Sequence, residues 1–322
     1  MPVLLQGPCH RAAKATLASI ASIRHALGVS AMSAIEHLLK PHVRDIGDFS
    51  VRRVLPSAAA QTVGPFIFFD HMGPVQLEPG KGMDVRPHPH IGLATVTYLF
   101  EGEIVHRDSV GSEQTIRPGD VNWMTAGSGI VHSERSPQAA RDAGPRLHGI
   151  QTWVALPREH ETVAPSFFHH PADTLPRLVH GGARITVIAG DAFGARSPVQ
   201  VFSRTLYAAL ELDAGASLAI PPEHEQRGLY LVDGAAAIDG IALPAEHLAV
   251  LTPGAEATVT ALEPSRLMLL GGEPVDGRRH IFWNFVASTR EAIEEAARRW
   301  ENDEFPHVPG ETERIPLPPR RV

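Results

Sequence analysis

The chain lacks the features on which several large protein classes depend. Its single cysteine, Cys9, permits no internal disulfide and leaves no Cys-x-x-Cys pair for zinc or iron–sulfur chemistry. No uninterrupted apolar run reaches the roughly 18 residues of a bilayer-spanning helix, so no membrane span is expected. A formal charge of -7 and a pI near 6.2 supply no basic field for a phosphate backbone, which argues against direct nucleic-acid binding. Ser128 lies in Gly127-Ser128-Gly129 and not in a Gly-x-Ser-x-Gly elbow, and no phosphate-cradling glycine loop of the usual spacing appears. What remains is a globular protein, with a reducing cytoplasm as its expected setting.

Glycine and proline, 28 of each and spread along the chain, fit many short strands joined by tight turns, and point to an all-β fold. At 322 residues, 43% of them apolar, the chain can bury two ordinary cores. Histidine is abundant. With 18 in the chain, about one His-x-His arises by chance, so a single such pair says little. Here His88-Pro89-His90 is followed by a second pair, His132-Ser133-Glu134, after a Gly127-Ser128-Gly129 turn. Residues i and i+2 of a strand share a face, so the two pairs can bring three imidazoles and a carboxylate to one point. That donor set suits a mononuclear divalent metal and, at six-coordination, leaves two positions for water, oxygen or a substrate oxyanion. For Glu134 the alternative is a surface ion pair, but Arg135, its nearest cation, projects from the opposite face of a strand. Pro87 and Pro89 cannot donate to a ladder and place their strand at a rim or edge. If that strand ran unbroken from His88, Val96, Tyr98 and Phe100 would line the metal's barrel.

These residues resemble a known family. Gly82, His88, His90 and Gly102 look like the first cupin motif, and Gly129 with His132 like the second. More narrowly, the run from His88 to Gly102, Arg107-Asp108-Ser109, Trp123 to Gly127, Gly129 to Glu134, Gly149 to Val154 and Gly271-Gly272-Glu273-Pro274 resemble pirins, over about His37 to Pro309. The glutamate that cupins place four residues after the second histidine is Ala94 here, so the resemblance implies that Glu134 is the carboxylate ligand. It implies two tandem cupin β-barrels, a bicupin, with a C-terminal α-helix. It also implies a metal held by His88, His90, His132 and Glu134, most simply Fe(II), with Mn, Ni, Cu or Zn as alternatives. Two functions follow from it. One is a dioxygenase of the quercetin 2,3-dioxygenase type, acting on a flavonol with O2 and releasing CO, with Glu134 as the catalytic proton acceptor. The other is a non-enzymatic iron-binding redox sensor that regulates transcription or a metabolic enzyme through a protein partner. A monomer is expected.

A weak internal repeat supports two barrels: Tyr98-Leu99-Phe100-Glu101-Gly102 returns as Tyr230-Leu231-Val232-Asp233-Gly234. At the same offset His88 and His90 become Ile220 and Pro222, and His132 and Glu134 become Pro264 and Arg266, so the second copy lacks the ligands. The expected division is 1–36 as an N-terminal extension, 37–165 as the metal-binding cupin domain, 166–285 as the second cupin domain, and 286–322 as a helix and tail. The first 35 residues contain no Asp or Glu, and Met32 stands just before the family-like region; a start at Met32, or a floppy extension, is favoured over a targeting peptide. Pro165 to Gly182 reads as linker and edge strand, with His169 and His170 solvated. Ser288-Thr289-Arg290-Glu291 reads as a capping box for a helix that buries Ile293, Ala296, Ala297 and Trp300. The tail from Pro316 to Arg321 reads as a disordered terminus. His106 is either a donor behind the ligands or solvent-facing; Gln151 borders the pocket by resemblance; His148, of opposite parity, does not.

Overall fold

The computed structural model describes residues 33–46 and 49–319; most of the N-terminal extension, with Met32, and Arg320 and Arg321 of the tail lie outside them. Two antiparallel β-barrels follow one another. In the first, a seven-stranded sheet runs in the order Ser166–His170, Val121–Thr125, Leu93–Glu101, Arg146–Ala155, Phe66–Gln76, Ser50–Leu55, His42–Asp45. It faces a four-stranded sheet of Asp84–His90, Ile130–Arg135, Ile104–Asp108 and Glu113–Ile116. As the two prolines require, Asp84–His90 is an edge strand of that sheet. The second barrel repeats the plan with an eight-stranded and a four-stranded sheet.

The large sheets of the two barrels pack back to back. Phe69, Val96, Tyr98 and Ile150 from the first meet Tyr207, Tyr230, Met268 and Leu270 from the second in one buried cluster. The repeated tyrosines, Tyr98 and Tyr230, therefore both serve the contact between barrels. This corrects the expectation that Val96, Tyr98 and Phe100 line the metal's barrel. The strand from His88 is interrupted after His90, and Gly92 sits at φ +67°, so the alternation restarts with the other parity. Thr97, and not Val96 or Tyr98, then faces the interior beside Glu134. Only glycine fits at 92, because a Cβ there would lie 2.0 Å from the carbonyl oxygen of Val286.

The chain ends cross over, which shifts the expected boundaries. Ile35–Leu39 pairs with Leu248–Leu251 in the second barrel, and Ala34 is buried in that barrel's core, so the fold begins before residue 37. Ser166–His170 pairs with Val121–Thr125 and belongs to the first barrel, beyond the boundary set at 165. Conversely, Phe285, Ala287, Ile293 and Trp300 pack with Ile91 and Val131 of the first barrel. Pairing between residues distant in sequence decides these memberships, and composition carries no record of it. The helix spans Arg290–Glu301 and buries the four residues its periodicity indicates. Its cap is Thr289, which accepts from the Ala292 N–H, and not Ser288, whose hydroxyl donates to Glu161 instead. The chain is held just before the tail that begins at Pro316, where Ile315 N–H donates to the Pro87 carbonyl and Trp300 Nε1 donates to the Ile315 carbonyl, and Leu317 packs against the cluster around Trp300.

His71 lies buried between the barrels, with Nδ1 2.9 Å from the Tyr230 hydroxyl and Nε2 2.8 Å from His148 Nε2. Burial, reinforced by Arg52, drives its pKa from 6.5 down to about 2. The unfolded chain thus binds a proton that the folded chain refuses across that window. Stability is full above pH 6.5 and is lost as pH falls. Two outcomes follow. In urea melts between pH 7 and 5, His71→Gln should flatten the acid loss of stability by up to about 1.4 kcal/mol per pH unit, although it is less stable at pH 7. Gly92→Ala should cost at least ~2 kcal/mol in the same assay, combining positive-φ strain with the Val286 clash.

Candidate metal centre

His88 and His132 are directly opposite one another on neighbouring strands, with His90 two residues further along the edge strand. Their ring centroids lie 4.3 Å (His88 to His132) and 5.0 Å (His90 to each of the others) apart. One ligand atom from each falls within 4.8 Å of the others, and this is the only such group of three metal-type side chains among the described residues. All three are buried. Each Nδ1 is already engaged: His88 with the Arg86 carbonyl at 2.9 Å, His90 with the Asn284 carbonyl at 3.2 Å, and His132 with His106 Nδ1 at 3.4 Å. The Nε2 atoms are left to converge. That of His132 is buried without any partner, an arrangement that costs about 1–3 kcal/mol unless something occupies the point it faces. Desolvation lowers the pKa of His88, and lowers those of His90 and His132 well below the ordinary imidazole value, so the rings stay neutral and keep their lone pairs. Residues and geometry fit a metal ion.

Glu134 lies in the same cavity but outside that mutually close set. A register shift between His132 and Glu134 pairs Glu134 with Val85. Its carboxylate accepts from Gln151 Nε2 at 2.8 and 3.0 Å, and from the Thr97 hydroxyl at 3.4 Å. Gln151 therefore borders the site, as the resemblance implies. Arg135 turns away to Glu311 and Asp84, as strand parity requires.

The cavity holds about 280 Å³, at the lower end of small-ligand sites, and His88, Glu134, Gln151, Phe68, Trp153 and Trp283 line it. Phe68 and Trp153 stack at 4.1 Å, Trp153 meets the edge of His90, and Arg53 caps Phe68 while pairing with Asp70. Among the described residues, the larger hollows elsewhere carry no comparable donor set.

His106 is buried, not solvent-facing, and bonds both Asp108 and His132. His148 belongs to the contact between barrels. His169 and His170 are half-buried, not solvated, and His169 bonds Asn122. Three participants escaped sequence reasoning. Asp108 was available to the period-two rule, since it shares a strand face with His106. Trp283 and Asn284 were not, because they lie almost two hundred residues from the ligands they meet.

Fold and site together define a bicupin with, among the described residues, one three-histidine cluster in its first barrel that could hold a metal ion. Residues 48–154 match the Pirin family model and residues 207–306 that of the Pirin C-terminal cupin domain. The chain belongs to the pirin family. It is 53% identical over 261 residues to a pirin-like protein of Caulobacter vibrioides, covering 80% of this chain and 90% of that one. A Pseudomonas aeruginosa protein provisionally named a quercetin 2,3-dioxygenase is 39% identical, with 83% and 84% covered. The crystal structure of an Acinetobacter baumannii quercetin 2,3-dioxygenase superposes with a TM-score of 0.83 at 36% identity, covering 88% of this chain and 95% of that one.

Alanine in place of His88, His90 or His132 should weaken metal binding by more than about 100-fold, beyond the loss expected for an outer contact. Metal content after dialysis against a chelator, with Trp153→Phe as the retained control, reads this directly.

Proposed function

We propose that this protein is a metal-dependent dioxygenase that opens the central ring of a flavonol of the quercetin type, incorporating both atoms of O2 and releasing carbon monoxide. The observation that carries this reading is the convergence of three neutral imidazoles, one of which, His88, lines an aromatic-walled cavity together with the Glu134 carboxylate. The names borne by the Pseudomonas and Acinetobacter relatives support it. His88, His90 and His132 would hold the ion through Nε2, with Glu134 as the fourth ligand, and Fe(II) is the metal we favour for this N/O set. A divalent ion supplies Lewis acidity toward the substrate hydroxyl and one-electron chemistry toward oxygen.

The chain's own residues do the rest. Glu134 accepts the proton of the 3-hydroxyl, and the Gln151 amide, bonded to both of its oxygens, keeps the carboxylate turned toward the cavity. Phe68 and Trp153, stacked on one another, give a planar ring system an apolar aromatic border. Burial of the ligands keeps competing water away from the reacting atoms.

A second reading, the redox-sensing regulator, is favoured by one contact. His90 bonds the carbonyl of Asn284, at the tip of a C-terminal hairpin, so a change of charge at the ion reaches a segment near the surface.

Purified protein loaded separately with Fe(II), Mn(II), Ni(II) and Cu(II), and assayed by quercetin absorbance and oxygen uptake, separates the two. Copper should bind most tightly, so turnover and not affinity identifies the working metal. We expect turnover that His88→Ala abolishes along with the metal, and that Glu134→Ala reduces by about 100-fold or more with metal still bound. Tightly held iron without turnover by any metal form would replace the enzyme by the regulator.

A further inference from the structure

Two of the three ligand histidines are oriented by backbone carbonyls, whereas the third is backed by a side-chain pair. On the neighbouring strand Asp108 stands opposite His132, and His106 opposite Glu134. Asp108 is wholly buried, and its Oδ1 accepts the backbone N–H groups of Val110 and Ser112 at 3.0 and 2.9 Å. Its Oδ2 lies 2.9 Å from His106 Nε2. His106 stacks on Phe167 at 4.2 Å with an interplanar angle of 12°, which fixes its plane. Burial works to raise the Asp108 carboxyl, but the bonds from His106 and Ser112 outweigh it and hold the group below its usual range.

The protons can then be assigned one by one. Oδ1 already accepts two backbone N–H groups and Oδ2 faces His106 Nε2, so the carboxylate accepts there, and in the neutral ring the single proton of His106 sits on Nε2 and leaves Nδ1 bare. A bare Nδ1 facing His132 Nδ1 at 3.4 Å obliges His132 to donate from Nδ1. His132 Nε2 is left with a free lone pair, and this is the buried atom that finds no partner in the protein.

We propose that Asp108 and His106 form a positioning relay that locks the proton of His132 on Nδ1, presents Nε2 to the metal, and makes His132 the strongest donor of the three. The relay rests on the metal-site reading given above. Carbonyls fix His88 and His90 in orientation, but only His132 is linked through a ring to a full negative charge, which raises its basicity toward the ion.

The decisive variant is Asp108→Asn. Its amide oxygen keeps the bonds to Val110 and Ser112, while its NH2 faces His106 Nε2 and reverses the tautomer there. His106 Nδ1–H would then oppose His132 Nδ1–H, and relief of that clash moves the His132 proton onto Nε2, where it blocks ligation. His106→Phe keeps the stack on Phe167 and removes both the acceptor facing His132 and the donor to Asp108 Oδ2. Affinity for zinc(II) alone, measured by competition with a chromogenic chelator, should fall 10–100-fold in Asp108→Asn and by a smaller factor in His106→Phe. Thermal melts report whether each variant is folded. Independently, long-range 1H–15N spectra of the unaltered, metal-free protein should show the His132 proton on Nδ1, a readout that needs no variant to fold. A proton on His132 Nε2 in that spectrum, or unchanged zinc affinity in folded Asp108→Asn, would overturn the relay. An unaltered protein that takes up no zinc while His132 keeps its proton on Nδ1 would count against the metal reading and leave the proton assignment standing.

Discussion

The candidate centre depends on keeping three imidazoles neutral and close to one another in a place where the inner nitrogen of His132 finds no partner in the protein. Burial achieves the neutrality, because a charged ring loses more hydration in the barrel wall than its surroundings return, Glu134 offsetting part of that loss only at His88. Orientation comes from outside the ring of ligands, through a partner for every Nδ1. Remove either condition and the histidines have lower-energy alternatives, either protonation or rotation toward solvent. The barrel is the device that removes those alternatives.

The second barrel shows what the same plan does without that demand. Its interior is packed with Leu206, Leu210, Leu229, Leu231, Leu267 and Leu269. Arg227 is fully buried and carries its own positive charge there. Its guanidinium reaches the carbonyls of Ile220, Pro221, Thr252 and Ala255, and Ile220 is the position that the internal repeat aligns with His88. Where the first barrel gathers three neutral donors that could hold a cation, the second gathers carbonyl oxygens around a cation fixed to the chain. A guanidinium bonded by carbonyls stabilises its barrel without offering open positions, which fits a scaffold role.

Much of this was legible in the sequence because it rests on local periodicity. The alternation in His88-Pro89-His90 and His132-Ser133-Glu134 shows which side chains share a face, and the prolines show that one strand is an edge. The stripe of Ile293, Ala296, Ala297 and Trp300 gives the helix and its buried face. Reading failed where one glycine resets the alternation. Gly92 turns Val96 and Tyr98 from expected pocket lining into the contact between barrels, and a parity argument carried through a positive-φ residue has no means of detecting this. It failed again for Asn284, Trp283 and the Ile35–Leu39 strand, whose partners are set by topology and leave no periodic trace.

The first barrel is not self-sufficient as a site. The C-terminal hairpin His280–Phe282 and Phe285–Ala287 folds back so that Val286 meets Ile91 and lies against Gly92, directly after the last ligand of the edge strand. Its turn places the Asn284 carbonyl on His90 and Trp283 in the cavity wall. Trp283 adopts φ +54°, a conformation that costs a bulky residue about 1 kcal/mol or more and persists only where surrounding contacts overdetermine it. Those contacts are the Trp300 and Phe285 rings, the latter buried in the cluster that docks the C-terminal helix on the barrel. The helix thus holds the hairpin, the hairpin holds His90, and His90 completes the triad. A chain that must thread a whole second barrel before returning to finish the first couples formation of the three-histidine cluster to folding of the entire molecule.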